Sequence, residues 1–126
     1  MDLLEKIVSL EESASKFGFR WDTADQIMNQ IQSECEEIKE HLDQELSQDN
    51  KIALQEEIGD LLHAVFSLSV FCKFDAEETL TKSVDKFERR LSAVKTITQE
   101  NGIATLNGYA FDELMQFWDQ AKKRVG

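Results

Sequence analysis

The chain has 126 residues, no proline, five glycines, and 25 acidic against 14 basic side chains, for a formal charge of −11. That excess argues against a protein that tracks along DNA or RNA, because such binding draws its affinity from lysine and arginine on phosphates, although a small phosphorylated ligand stays open. One domain over residues 1–126 fits the length, and the near absence of turn formers indicates an all-α protein with short connections.

The first predicted helix runs from about Leu3 to Lys16, with Leu3, Leu4, Ile7, Val8, Leu10 and Ala14 at helical spacing. Its start lacks the basic and apolar pattern of a signal peptide. No run approaches the roughly 20 apolar residues of a membrane span, so a cytoplasmic protein is expected. The stretch from Phe17 to Asp22 breaks the pattern with Gly18, and Trp21 is expected to pack the entry to the next helix.

Thr23 with Gln26 forms a capping box that opens the second helix. Ile27, Ile31, Ile38 and Leu42 lie on its apolar stripe, and Glu34 shares that stripe. Ser47, Gln48, Asp49 and Asn50 are read as a turn. A third helix follows from about Asn50 to Cys72, where Leu54, Leu61, Ala64 and Leu68 form a stripe that includes Glu57. Asp75 and Glu78 read as the next cap and box, before a fourth helix with Leu80, Val84, Phe87, Leu91 and Val94 on one face. Asn101-Gly102 ends it in the left-handed conformation. Phe111 to Arg124 makes a fifth, with Leu114, Phe117, Trp118 and Ala121 apolar. The economical architecture is a four-helix up-and-down bundle core with an additional N-terminal helix.

Two acidic pairs stand out, Glu34 with Glu37 and Glu57 with Asp60, each three residues apart and therefore on one side of a helix. Glu34 and Asp60 share a sequence midpoint with Glu37 and Glu57, as they would in an antiparallel hairpin turning near residue 47. All four carboxylates then meet at one level. Like charges in a poorly solvated groove repel unless a cation sits between them, and carboxylate oxygens suit a hard divalent metal. Other acids, including Glu11, Glu12, Glu40 and Glu45, read as solvated helix faces. Cys35 and Cys72 lack metal or redox spacing and read as buried reduced thiols. His63, three residues after Asp60, reads as a core histidine.

In order and spacing, Glu34-x-x-Glu37 followed by Glu57-x-x-Asp60 within Glu56-Glu57-Ile58-Gly59-Asp60-Leu61-Leu62 resembles MazG-type members of the all-α nucleoside triphosphate pyrophosphohydrolases. The likeness continues into Lys86-Phe87-Glu88-Arg89-Arg90 and Trp118-Asp119-Gln120-Ala121-Lys122, covering roughly residues 17–124. It implies that Glu34, Glu37, Glu57 and Asp60 hold Mg²⁺, with Mn²⁺ a possible substitute. It also implies that Lys86, Arg90 and Lys122 bind the triphosphate, that Trp118 lies at the nucleotide, and that Glu34 polarises the attacking water. The expected reaction converts a (d)NTP to the (d)NMP and pyrophosphate, a house-cleaning activity of the nucleotide pool. Relatives of this kind form dimers or tetramers, and the aromatic excess of Phe66, Phe71, Phe74 and Phe111 agrees with a homodimer at least.

Read from the residues alone, Trp118 suits core packing and Arg90 suits either a surface ion pair or a phosphate. Two other classes compete for the whole chain. A ferritin-like di-iron protein needs a Glu-x-x-His element on each of two helices, and only Asp60-Leu61-Leu62-His63 approaches one. A non-enzymatic acidic helical adaptor for a basic partner needs no metal at all. Among relatives with the same architecture, dimeric dUTPases and phosphoribosyl-ATP pyrophosphohydrolases fit less well than MazG, because of the Trp118 and Lys122 segment.

Overall fold

The structure, a computed structural model, describes residues 1–45 and 47–126. Among the described residues five helices follow one another, α1 Leu3–Phe17, α2 Ala24–Leu42, α3 Gln48–Phe71, α4 Ala76–Glu100 and α5 Phe111–Val125, so the all-α class holds. None of them is long and apolar enough to cross a membrane. The chain divides into two compact units, Met1–Thr79 and Leu80–Gly126.

Local chemistry sets the helix ends. Asp2 accepts from the Glu5 N–H at 2.8 Å while the Glu5 carboxylate accepts from the Asp2 N–H at 3.3 Å, closing a reciprocal cap on α1. Gly18 stops that helix at φ 95°, a left-handed conformation that a side chain would strain. The Thr23 box is present as expected, with the Gln26 amide oxygen accepting from the Asp22 N–H at 2.8 Å and the Thr23 N–H at 3.2 Å. Asp75 caps α4 by accepting from the Glu78 N–H at 3.1 Å, and Gly102 takes φ 72° beyond its end.

In the first unit α2 packs along α3 as a helical hairpin, and α1 packs on α3. The connection is displaced from the expected turn. Ser47 is the N-cap of α3, its hydroxyl accepting from the Asn50 N–H at 3.2 Å, so Gln48, Asp49 and Asn50 already belong to the first helical turn. Asn50 is only 8% exposed and works as a staple: its amide donates to the carbonyls of His41 at 2.9 Å and Glu45 at 3.2 Å. With both amide hydrogens used, its oxygen faces His41 Nδ1 at 2.8 Å and fixes the proton on that ring nitrogen. Asn50→Ala strands these buried partners, and a urea titration should show a loss of about 2 kcal/mol. A midpoint equal to the parent's would contradict the staple.

Four further expectations fail in this unit. His63 is exposed, not core, with Nε2 2.9 Å from Glu11 Oε1, and the buried Ser67 hydroxyl donates to the same oxygen at 2.6 Å. Glu11 is therefore no solvated face: it is partly buried and ties α1 to α3. The cysteines are free as expected but not buried, Cys35 being half-buried and Cys72 exposed. Trp21, expected to pack the helix entry, lies at the exposed end of the range.

The second unit has its own small core of Ala93, Ile97 and Ala121, with Val94 and Phe117 packed against it. Tyr109 meets Phe117 edge-on at 6.2 Å. Arg124 pairs with Glu100 at 3.0 Å and joins α5 to α4.

Candidate active site

Glu34 and Glu37 project from one side of α2, and Glu57 from α3 opposite them, because the three-residue step and the hairpin register together bring these positions face to face. One carboxylate oxygen from each of the three lies within 4.8 Å of the others. Asp60, a turn further along α3, is exposed and does not belong to that group. The hairpin thus gathers three of the four expected acids.

Glu34 sets this cluster apart from a solvated acidic face, while Glu57 is half-buried and Glu37 exposed. Glu34 is 7% exposed; its Oε1 accepts from the Gln30 amide at 2.7 Å, and its Oε2 is buried with no hydrogen-bond partner among the described residues. A carboxylate oxygen removed from water without a donor is costly, and a cation is the partner its charge demands. Glu57 is pushed up to about 7 from an ordinary 4.5, chiefly by hydrogen bonding to Glu37 and then to Glu34, with desolvation and the two like charges adding to the shift. In the absence of a cation, then, the cluster holds on to a proton below about pH 7. Oxygen donors at this spacing, one of them orphaned, fit a hard divalent ion such as Mg²⁺.

His41 continues the α2 stripe one turn past Glu37, and its Nε2 lies 4.0 Å from Glu57 Oε1. Gln30 extends the same stripe one turn before Glu34. Neither was singled out by the sequence reading, although the four-residue steps 30 to 34 and 37 to 41 carried the signal. The di-iron alternative loses its one candidate element, since His63 turns to Glu11.

The expected phosphate and nucleotide residues lie in the second unit. Trp118 is half-buried, with Phe87 at 5.9 Å between ring centroids and the Arg90 guanidinium carbon 5.6 Å from its ring centre. Such a cation over an indole is attracted by the ring quadrupole. Arg90 Nε also donates to the Gly126 carbonyl at 3.0 Å, which leaves its terminal N–H groups for other acceptors. Lys122 is partly exposed and pairs with Asp119 at 3.4 Å, one turn earlier on α5. Lys86 is exposed on α4.

A chain helical throughout its described elements, whose hairpin gathers one buried, one half-buried and one exposed carboxylate, defines a helical acidic-cluster protein suited to divalent cations. More particularly, the chain belongs to the MazG nucleotide pyrophosphohydrolase domain family, whose model matches residues 22–95, from the cap of α2 through most of α4. It is similar to the nucleoside triphosphate pyrophosphohydrolase/pyrophosphatase MazG of Thermotoga maritima, at 31% identity over 113 residues, covering 90% of this chain and 41% of that protein. Similarity to the nucleoside triphosphate pyrophosphohydrolase of Escherichia coli K12 is 28% over 121 residues, or 96% of this chain and 45% of that protein. A shorter match, 34% over 70 residues, links it to the uncharacterized protein YabN of Bacillus subtilis. The chain spans less than half the length of each of these relatives.

Proposed function

We propose that this chain is a magnesium-dependent nucleoside triphosphate pyrophosphohydrolase, cleaving between the α and β phosphates to release the (d)NMP and pyrophosphate. The observation that carries this reading is the buried, unpartnered oxygen of Glu34 inside a carboxylate cluster that lies within the matched family domain. Glu34, Glu37, Glu57 and Asp60 would hold Mg²⁺, with Mn²⁺ as a substitute. A divalent ion bound there would supply charge neutralisation on the phosphates and a lowered pKa for a bound water.

The chain's own groups take the remaining roles. Glu34 polarises the attacking water, whose proton passes to solvent as the water oxygen bonds to the α-phosphorus; the bond from that phosphorus to the bridging oxygen breaks, and pyrophosphate leaves with that oxygen. Lys86, Arg90 and Lys122 stabilise the triphosphate and the charge moving onto pyrophosphate, arginine through paired N–H donors and lysine as a point charge. Trp118 offers a ring face to the nucleotide. The up-and-down bundle, a homodimer or tetramer, a cytoplasmic location and a house-cleaning role complete the reading. The exposed stripe of Ile58, Leu62 and Val65 on α3 supports the oligomer.

The test is pyrophosphate release from a panel of ribo- and deoxynucleoside triphosphates with Mg²⁺ and with Mn²⁺. Turnover of at least one triphosphate, lost on adding EDTA, is expected. Silence across the panel with both ions would leave the acidic adaptor as the better reading.

A further inference from the structure

Gln30 stands at the solvent side of α2, four residues before Glu34, a spacing that stacks two side chains on one helix face. Its amide donates to Glu34 Oε1 at 2.7 Å, a charge-assisted bond at the short end of the normal range. The other oxygen of the same carboxylate, Oε2, is buried and has no hydrogen-bond partner among the described residues. One residue thus divides the two oxygens of Glu34 into one already engaged and one left for a ligand.

We infer that Gln30 is a specificity-determining residue that makes Glu34 a one-oxygen donor and so favours Mg²⁺ over Ca²⁺ at this cluster. The inference rests on the cation-binding reading above and concerns which cation is chosen. Mg²⁺ needs near-ideal octahedral geometry and takes one oxygen from each carboxylate it touches, whereas Ca²⁺ accepts 6–8 oxygens and readily takes both from one carboxylate. While Gln30 holds Oε1, Glu34 cannot turn to offer both oxygens without giving up that bond. The cost falls on the larger ion. Groups that orient a ligating carboxylate in this way shift metal affinity by about 10–100-fold when removed.

The experiment is calorimetric titration of the substrate-free protein with Mg²⁺ and, separately, Ca²⁺, for the parent, Gln30→Met and Gln30→Lys. Methionine keeps the length and loses the donor; lysine restores a donor and adds a charge that both divalent ions feel alike. Gln30 is exposed, so far-UV circular dichroism should match the parent, whereas the melting temperature of Gln30→Met should fall as Glu34 Oε1 loses its donor. The expected result is a Mg²⁺ to Ca²⁺ affinity ratio about 10-fold lower in Gln30→Met and near the parental value in Gln30→Lys. An unchanged ratio in Gln30→Met, or equal loss for both ions, would overturn the inference while leaving the pyrophosphohydrolase reading in place. A parent that binds neither ion, with or without a triphosphate, would overturn both.

Discussion

Glu57→Gln should lower pyrophosphate release by at least about 100-fold, the scale on which removal of one preorganised electrostatic group is felt, and should at the same time raise the melting temperature of the metal-free protein. The two effects have one cause. Glu57 faces Glu37 and Glu34 across the hairpin, and their hydrogen bonds and charges push its carboxyl up to about 7, so the ionised form is disfavoured where it stands. Glutamine has the same shape, carries no charge and offers amide hydrogens to the two remaining carboxylates. It removes the repulsion and, with it, a donor for the cation. A residue kept only for packing would behave differently, since its replacement lowers stability and activity together. The measurement pairs initial rates in Mg²⁺ with melting curves in EDTA, and with circular dichroism to show that helicity is intact. Parental turnover would remove Glu57 from the site; a lower metal-free melting temperature would remove the repulsion argument.

What made the cluster readable in advance was periodicity. Glu34 and Glu57 occupy positions on apolar stripes where an ionised side chain is out of place, and the shared midpoint of the two pairs fixed which faces of the hairpin would meet. The caps at Thr23 and Asp75 were equally readable, because capping is a local bargain between a side chain and N–H groups three residues away. Contacts between distant parts of the chain were not. Glu11 looks like any solvated helical acid until α1 lies on α3 and brings Ser67 and His63 to it. His63 follows the acids at ligand spacing, yet an acid 52 residues away takes its ring.

The hairpin connection shows a subtler limit. Ser47 and Asn50 both belong to the vocabulary of turns, and both are also favoured at helix starts. The choice was settled by Asn50 reaching back to the His41 and Glu45 carbonyls, contacts that need α2 already in place. Asp60 illustrates the same limit at the site. Its three-residue step from Glu57 matches the step from Glu34 to Glu37, so spacing alone does not separate the acid that faces the partner helix from the one that faces solvent. It is exposed beside the gathered three.

Stability without a metal should fall as pH rises from about 4.5 to about 7, and added Mg²⁺ should cancel the fall. Glu57 has a folded pKa of about 7 against an ordinary value of 4.5, so between these limits the folded protein holds more protons than the unfolded chain. Stability then decreases with pH across that window; the carboxyl costs nothing below it and its full repulsion is present above it. A divalent ion needs the deprotonated carboxylate, so its binding displaces this proton. The apparent affinity for Mg²⁺ should therefore rise by up to about tenfold per pH unit through the window and level off above it. Because a ligand that binds only the folded state raises stability with the logarithm of its concentration over Kd, the melting-temperature gain from Mg²⁺ should grow over the same interval. Glu57→Gln removes the titrating group, and its gain should be small and nearly flat with pH. A parental gain independent of pH, with a metal-free protein equally stable at both ends of the window, would show that the three carboxylates do not share a proton in solution, and that the hairpin holds them further apart than 4.8 Å.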